Sequence, residues 1–342
     1  MSWKVTAQAP TRVDLAGGTL DLWPVHFLLK ESATVNVSVT LEATVEVTPS
    51  TDGKFHFVSD DQQSRWDGSL LGAFENKVLP LPGRMLQSTW HSGLPAVTVT
   101  SRAKSPAGAG LGGSSCLAVT LQKALLTARG IFEKFQIPDE AKLVRTAQDA
   151  EALIIHAPTG CQDYWGAVRG GVNVIRFPFG GETVETTSPQ EFPALGEQMI
   201  LCYSGKSRAS AINNWMIFKR TFDGDERTLK ILGGIGEAAV RCARSVKARD
   251  LVGVLKASEE EWNLRRELWP DITTVETENL DKAAKAAGAT FSRVCGAGGG
   301  GVMAVFASAP QRPAVISALT AAGGTVLPAG PSGKGLFSVI EN

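Results

Sequence analysis

Apolar and polar positions alternate along the first part of the chain in the way that β-strands require. Residues 34–48 are rich in β-branched side chains and alternate, which predicts one long strand or two consecutive strands. Residues 55–58 are expected to pair with this region across a turn at 50–53. A mixed helical segment is expected over 70–92, and a further strand over 96–101.

The apolar spacing becomes helical after a glycine-rich loop that follows this strand. One helix is expected to run from the loop to about Arg129, and a second over 138–155, with proline near its start and acids in its first turn. A polar turn at 157–165 leads into a short helix, and a strand is expected over 170–177. The pattern up to this point predicts one mixed domain.

Strands and helices alternate in the second half of the chain. Strands are expected at 198–203, 291–295, 302–306 and 335–340, and helices at about 225–245, 248–264, 274–287 and 311–322. The stretch 178–196 contains proline and glycine and resembles a domain junction. Two domains are therefore expected, at 1–180 and 190–342.

Composition narrows the class of protein. The chain has 342 residues, of which 43% are hydrophobic and 20% charged, as in ordinary soluble proteins. Lys plus Arg and Asp plus Glu number 34 each, so no net charge favours nucleic acid or an anionic membrane. We find no apolar run of transmembrane length, no signal-peptide core and no C-x-x-C motif, which together favour a cytoplasmic protein with reduced thiols. The four histidines lie far apart and are expected to be surface or packing residues.

The glycine-rich loop at 105–116 is the strongest chemical signal. Bare backbone N–H groups in such a loop can approach phosphate oxygens, and the positive end of the following helix favours an anion. Ser114 and Ser115 lie at the predicted helix start, where a hydroxyl can cap the helix, contact phosphate or hold Mg²⁺.

Several interpretations of the loop compete. Gly108, Gly110 and Gly113 satisfy G-x-G-x-x-G, but a dinucleotide site would need an acid where Glu133 lies in a polar turn. A Walker loop fails, because Ile200 stands where the first glycine of a motif ending at 205–207 should be. A flexible linker would not run straight into an amphipathic helix. The loop also fits the pattern P-x-x-x-G-L-G-S/G-S of small-molecule kinases.

Three separated segments, 9–21, 106–115 and 295–302, together resemble the GHMP small-molecule kinases. They occur in the family's order and spacing, and the match covers the whole chain. The resemblance implies a two-domain α+β fold. An N-terminal domain like domain 2 of ribosomal protein S5 packs against a ferredoxin-like C-terminal domain, with ATP and substrate in the cleft between them.

Within the family, four shorter segments are most similar to those of sugar-1-kinases that act on heptose 7-phosphate. The segments are 16–21, 160–164, 170–173 and 203–208. The chain departs from their pattern in three ways: Cys161 replaces the usual Lys, Tyr164 replaces the usual Gln, and Thr19 comes one place earlier than usual.

The resemblance implies a nucleotide and metal site around the loop. The residues expected to bind ATP are Pro106, Gly108, Gly110, Leu111, Gly112, Gly113, Ser114 and Ser115. Ser114, Ser115 and Glu151 are expected to hold Mg²⁺, which prefers few carboxylates and phosphate oxygens. Without the resemblance, Glu151 would be interpreted as a solvated helix charge.

Asp163 is expected to be the catalytic base that accepts the proton of the sugar's anomeric hydroxyl. Its alternative role is a helix N-cap. Arg12 is expected beside it, keeping the carboxylate ionised and stabilising charge on the transferred group, and could otherwise form a surface ion pair.

The remaining expected site residues face the sugar. Gly17, Gly18, Thr19 and Asp21 form the sugar-binding segment, although Asp21 could be a simple turn residue. Gly298 and Gly299 are expected to approach the substrate with bare backbone rather than form a hairpin turn alone. Lys206 and Arg208 are candidates for a second phosphate on the sugar, or are solvated loop cations. Tryptophans 23, 165 and 215 could face the sugar or lie in the core.

The function that the resemblance implies is an ATP- and Mg²⁺-dependent kinase for the C1 hydroxyl of heptose 7-phosphate, supplying nucleotide-activated heptose for surface polysaccharide. The alternatives are a galactose, fucose or arabinose kinase, a sugar sensor without catalysis, and an NAD enzyme. The expected partners are the sugar phosphate and ATP, with neither nucleic acid nor membrane, and a homo-oligomer is allowed for.

Overall fold

The computed structural model describes residues 3–207 and 211–341, and only the backbone of 211–213. The strands are β1 Lys4–Ala16, β2 Thr34–Pro49, β3 Phe55–Ser59, β4 Ser64–Gly68, β5 Val97–Ala103, β6 Val172–Arg176, β7 Thr183–Thr187, β8 Met199–Tyr203, β9 Phe291–Val294, β10 Val302–Phe306, β11 Thr325–Leu327 and β12 Phe337–Glu341. The helices are α1 Leu70–Phe74, α2 Pro80–Thr89, α3 Gly113–Phe132, α4 Glu140–Ile155, α5 Gln162–Arg169, α6 Pro193–Gln198, α7 Ala211–Phe222, α8 Glu226–Ala248, α9 Leu251–Leu268, α10 Val275–Ala286 and α11 Arg312–Ala321.

Eight strands of the described chain form the first sheet. Six of them follow the order β12-β1-β2-β5-β3-β4, and only β3 and β5 pair in parallel along this path. The long strand β2 pairs with β6 through residues 34–37 and with β5 through residues 43–49, and β7 extends the sheet from β6. The second sheet is antiparallel, in the order β11-β8-β10-β9.

Strands β1 and β2 are shared by two apolar clusters. At the start of β1 and the end of β2, Val5 and Val45 pack in a cluster with residues of α2, α3 and α5. Towards the other end, Val13 and Val37 belong to a second cluster with the second sheet and helices α8, α9 and α10. The strand pair therefore connects the N-terminal and C-terminal lobes of the molecule.

Most elements expected from the pattern are confirmed, including the strand at 34–48 and the helices flanking the glycine-rich loop. The expected pairing of 55–58 with the strand at 34–48 is wrong, because β5 lies between them. Strands β3 and β5 both bury alternate side chains, so the burial pattern does not decide which of them lies beside β2, whereas β4, whose side chains are at most half-buried, takes the edge beside β3.

Two elements that the sequence did not predict line the cleft between the lobes. Strand β1 contains Pro10, which lies at a register shift, and the small residues Ala7 and Ala9, which weaken the strand signal, whereas Arg12 and Asp14 occupy polar positions of the alternation. Helix α7 begins just after the residues 208–210 that lie outside the description. The stretch 178–196 contains strand β7, and the last strand, β12, pairs with β1. The domain limits 1–180 and 190–342 stay a prediction.

Among the described residues, every helix is too short or too polar to cross a membrane.

Helix α8 provides a test of how closely the lobes pack. A Cβ on Gly236 would lie 2.2 Å from the backbone oxygen of Glu31, whereas a Cβ on Gly233 of the same helix would meet nothing within 4 Å. We expect Gly236→Ala to lower the free energy of unfolding by about 1–3 kcal/mol through overpacking. The control Gly233→Ala should raise it by about 0.5–1 kcal/mol, since alanine favours a helix. Urea denaturation measures both, and equal effects would contradict this account of the packing.

Candidate active site

The glycine-rich loop connects β5 to α3 and ends in a left-handed residue. Gly112 has φ +70° and precedes α3 without a side-chain cap, so the first N–H groups of the helix are open to a ligand. A Cβ on Gly112 would lie 2.8 Å from Cγ of Asp163. The loop therefore needs glycine here for two reasons: the backbone conformation and the close approach of Asp163.

A second glycine-rich run, residues 296–301, contacts this loop from the C-terminal lobe. Val302 donates its N–H to the backbone oxygen of Ala109 at 2.7 Å, and a Cβ on Gly301 would come within 2.5 Å of the same oxygen. Gly298 and Gly299 pack against Ile272 instead, with the Gly299 N–H donating to its backbone oxygen at 2.9 Å. Gly301 and Val302, at the end of the run, thus support the loop through its backbone.

Two cavities meet beneath the loop. The larger, of about 550 Å³, extends between the loop, the segment 78–82 and the end of α4. The smaller, of about 70 Å³, lies between the segment 18–22, the start of α5 and Gly296 with Ala297. The residues that line both are Leu22, Gly160, Asp163 and Asn214. A group bound in one cavity would therefore meet its neighbour beside Asp163.

Arg12 ties Asp163 to the loop. Its Nε donates to Oδ1 of Asp163 at 2.7 Å, and its Nη1 donates to the backbone oxygen of Gly110 at 2.7 Å. Arg12 is buried; burial by itself would lower the pKa of its guanidinium, but the charges of Asp163 and Asp14 outweigh this and raise it. The pair thus joins a buried arginine to a half-buried carboxylate and is not the surface ion pair of the alternative interpretation. Asp163 lies inside the first turn of α5, and the N-cap is Cys161.

Glu151 is buried against two hydroxyl groups. Ser115 donates to its Oε2 at 2.7 Å, and the phenol of Tyr164 donates to the same oxygen. The interpretation of Glu151 as a solvated helix charge is therefore wrong, because the residue is only 7% exposed and faces the larger cavity. Burial raises the pKa of the Tyr164 phenol, which stays protonated as a donor.

The donor set around Glu151 fits Mg²⁺. One carboxylate and the hydroxyls of Ser114 and Ser115 border the cavity at the start of α3. Among the described residues, no group of three or more His, Cys, Asp or Glu side chains could hold a metal by itself. Mg²⁺ needs no such cage, because it is usually bound by one or two carboxylates together with substrate phosphates.

The segment 17–21 forms one wall of the smaller cavity. Gly17 and Thr19 are both left-handed, with φ +81° and +72°. Asp21 lies in a turn, 4% exposed, and accepts the N–H of Gln162 at 3.0 Å. Burial raises the pKa of the Asp21 carboxyl to about 6. This buried acceptor faces a cavity bordered by Arg12 and Arg265.

Four buried charges hold this segment in place. Arg293 on β9 donates to Asp14 at 2.6 Å and to Glu261 at 2.9 Å. Arg265 bonds to Glu261 and donates to the backbone oxygen of Gly18 at 2.7 Å. Burial alone would raise the pKa of Asp14, but the neighbouring arginines, with Arg293 foremost, hold it below its usual value. The network is almost wholly buried and joins both lobes around the smaller cavity.

Sequence reasoning missed this network and the residue Asn214. The charges of Arg12 and Asp14 could have indicated a polar cluster on one face of β1, since residues two apart in a strand share a face. Glu261 and Arg265, four apart on a helix, are a second signal. Their partner Arg293 gave none, because nothing in its local sequence indicates a buried charge.

Of the remaining predicted residues, only Trp215 borders either cavity among those that the structure describes. Lys206 is exposed, pairs with Glu276 at 3.4 Å and lines a shallow depression with Gly299, away from the two cavities. Arg208 lies outside the described residues. Of the tryptophans, Trp165 is buried in the core, Trp23 is exposed and Trp215 borders the larger cavity.

Comparison with known proteins identifies similar chains. The family model for the GHMP kinases N terminal domain matches residues 82–171, and that for GHMP kinases C terminal matches 242–325, together just over half of the chain. The chain is 23% identical over 327 residues to a D-glycero-alpha-D-manno-heptose 7-phosphate kinase of Campylobacter jejuni, covering 92% of this chain and 93% of that one. It is 27% identical over 246 residues to a mevalonate kinase of Thermococcus onnurineus, covering 70% and 68%.

A solved structure is similar over almost the whole fold. It is a D-glycero-D-manno-heptose 1-phosphate kinase from Bacteroides thetaiotaomicron, with TM-score 0.73, 18% identity and 98% of both chains covered. The predicted two-domain α+β fold is thereby confirmed.

The buried network allows a test of stability. We expect Arg293→Met to lower the free energy of unfolding by about 3–5 kcal/mol, because it leaves Asp14 and Glu261 buried with fewer cations. Arg241, which forms an exposed pair with Glu260, is the control, and Arg241→Met should cost no more than about 1 kcal/mol. Similar losses for the two variants in urea denaturation would mean that the buried network contributes no more than a surface pair.

The pKa of Asp21 gives a second test. Since burial raises this pKa from its ordinary value to about 6, the carboxyl favours the folded state at low pH, and this contribution is lost as the pH rises through that window. We expect Asp21→Asn to be more stable than the wild type by about 2–3 kcal/mol at neutral pH and to lose this advantage near about pH 4. Urea denaturation at both pH values measures the difference, with the exposed Asp149→Asn as control. A pH-independent difference would show that Asp21 is not the titrating group.

Proposed function

This chain belongs to the GHMP kinases, and we propose that it transfers the terminal phosphoryl group of ATP to the C1 hydroxyl of a heptose 7-phosphate. The observation that carries the proposal is the position of Asp163 on the wall shared by the two cavities. The larger cavity has the loop and helix start that suit a triphosphate, and the smaller one is lined by polar groups that suit a polyol. The choice of heptose phosphate rests on the similarity to the Campylobacter jejuni kinase.

The loop residues bind the nucleotide. The N–H groups at the start of α3 face the phosphates, and the left-handed glycines 108, 110 and 112 let the backbone come close without side chains. Glu151, Ser114 and Ser115 would hold Mg²⁺, which when bound neutralises charge on the phosphates. Trp215 and the apolar segment 78–82 border the same cavity, where they shield the nucleotide from water.

Asp163 acts on the acceptor. Its carboxylate takes the proton of the C1 hydroxyl while the sugar oxygen forms a bond to phosphorus and the bond from phosphorus to ADP breaks. Arg12, whose Nε donates to Oδ1 of Asp163 at 2.7 Å, orients this carboxylate and, from the same position, stabilises negative charge on the group in transfer. Asp21 accepts hydrogen bonds from sugar hydroxyls, with Gly17, Gly18 and Thr19 shaping the wall beside it.

Lys206 and Arg208 are proposed to bind the 7-phosphate of the sugar. Lys206 would have to leave Glu276 to reach it, and Gly298 and Gly299 would lie along this path. The product would serve the formation of nucleotide-activated heptose for surface polysaccharide, in the cytoplasm. Asp163, Glu151 and both loop serines are present, which favours catalysis over a sensor role.

A substrate panel read out as ADP release tests the proposal. We expect turnover of heptose 7-phosphate with ATP and Mg²⁺, and at least about 100-fold lower kcat/KM for free heptose, galactose, fucose, arabinose and mevalonate, because each lacks a group that the site is proposed to bind. Preference for an unphosphorylated sugar or for mevalonate would overturn the assigned substrate, and ADP release with none of them would overturn the kinase assignment itself.

Asp163→Ala separates binding from chemistry in the same assay. We expect kcat to fall by about 10²–10⁴-fold, because no carboxylate remains to take the proton, while ATP still binds through the loop. Asp149→Asn, an exposed change on α4, is the control and should leave both unchanged. Unaltered turnover in Asp163→Ala would remove this residue from the role of base.

A further inference from the structure

Glu151 presents its two carboxylate oxygens to different surroundings. Oε2 accepts hydrogen bonds from Ser115, at 2.7 Å, and from Tyr164. Oε1 has no hydrogen-bond donor within the described part of the chain. Since Glu151 borders the larger cavity, the unpaired oxygen is the one available to a ligand there.

Tyr164 connects three elements around this carboxylate. It lies on α5 next to Asp163 and is fully buried, and its oxygen also accepts a hydrogen bond from the hydroxyl of Thr159 at 3.2 Å, since the single phenol proton goes to Glu151. Glu151 lies on α4, so the phenol bridges the two helices that carry the carboxylates of the site. A buried aromatic ring packed on all sides has little freedom to move its hydroxyl, and this fixes the direction in which Glu151 points.

We propose that Tyr164 is a positioning residue that holds Glu151 so that a single oxygen, Oε1, is offered to the cation of a metal–nucleotide complex. The inference rests on the proposed function, because it places that complex in the larger cavity. Residues that hydrogen-bond a metal ligand orient it, and losing such a contact typically weakens metal affinity about 10–100-fold. The phenol also keeps this oxygen at a fixed position relative to Asp163, which lies one residue away on the same helix.

Tyr164→Phe removes the hydroxyl and leaves the ring in place. Mn²⁺ replaces Mg²⁺ as the probe, because electron paramagnetic resonance measures the concentration of unbound Mn²⁺ directly in the presence of ADP. We expect the dissociation constant of Mn²⁺ from the enzyme–ADP complex to rise at least about 10-fold, with metal-free ADP affinity unchanged. Tyr203→Phe is the matched control, since Tyr203 lies half-buried on β8 outside both cavities and should leave the constant unaltered.

A second measurement does not depend on the folding of Tyr164→Phe. The chain contains 2 tyrosines, so the Tyr203→Phe variant labelled with 3-fluorotyrosine carries one ¹⁹F signal, from Tyr164. We expect this signal to shift when Mg²⁺ is added to the ADP complex and not when ADP is added alone.

The outcomes separate this inference from the proposed function. The role of Tyr164 is overturned if Tyr164→Phe has the wild-type dissociation constant for Mn²⁺. It is also overturned if the ¹⁹F signal does not shift when the ADP complex binds Mg²⁺. In both cases the kinase proposal stands. A wild-type protein that binds no Mn²⁺ with ADP overturns both.

Discussion

The pairing of four buried charges at the junction of the lobes determines where the loops of the site can lie. Taking Asp14, Glu261, Arg265 and Arg293 out of water is costly, and their mutual attraction offsets that cost only if the geometry is good and the remaining hydrogen bonds are made. Other donors and acceptors of the network bond to backbone atoms of Leu15, Gly17, Gly18 and Gly296, and Nε of Arg293 alone in this group of four residues has no partner among the described residues. Satisfying the charges therefore places both walls of the smaller cavity at once.

A second connection runs from the same strand to the nucleotide loop. Arg12, two residues before Asp14, bonds to Asp163 and to the backbone of Gly110. The N–H of Arg12 also donates to the backbone oxygen of Leu111 at 3.0 Å. Strand β1 therefore carries both the residue that orients the proposed base and the residue that anchors the charge network, so one strand sets the distance between the loop, the base and the sugar wall.

The sequence contained most of the secondary structure and the identity of the loop, because apolar periodicity and glycine clustering are local signals. It did not contain the strand order around β5, since several strands with similar alternation compete for the inner position. The position of Glu151 was expected from the resemblance alone; its burial by Tyr164 depends on two helices meeting, which no local pattern encodes. Strand β1 keeps its alternation, with Arg12 and Asp14 on the polar phase, but Pro10 interrupts the pattern and the small residues Ala7 and Ala9 are weak strand formers.

The long strands β1 and β2 have a consequence for how the protein can be divided. Val13 and Val37, which are encoded before the glycine-rich loop, are buried among side chains of the C-terminal half, and the last residues of the chain complete the first sheet beside Lys4. A fragment ending near the junction would expose these valines to water and leave β1 as an open edge. Each half therefore completes the buried surface of the other, and a cut at the junction removes packing from both.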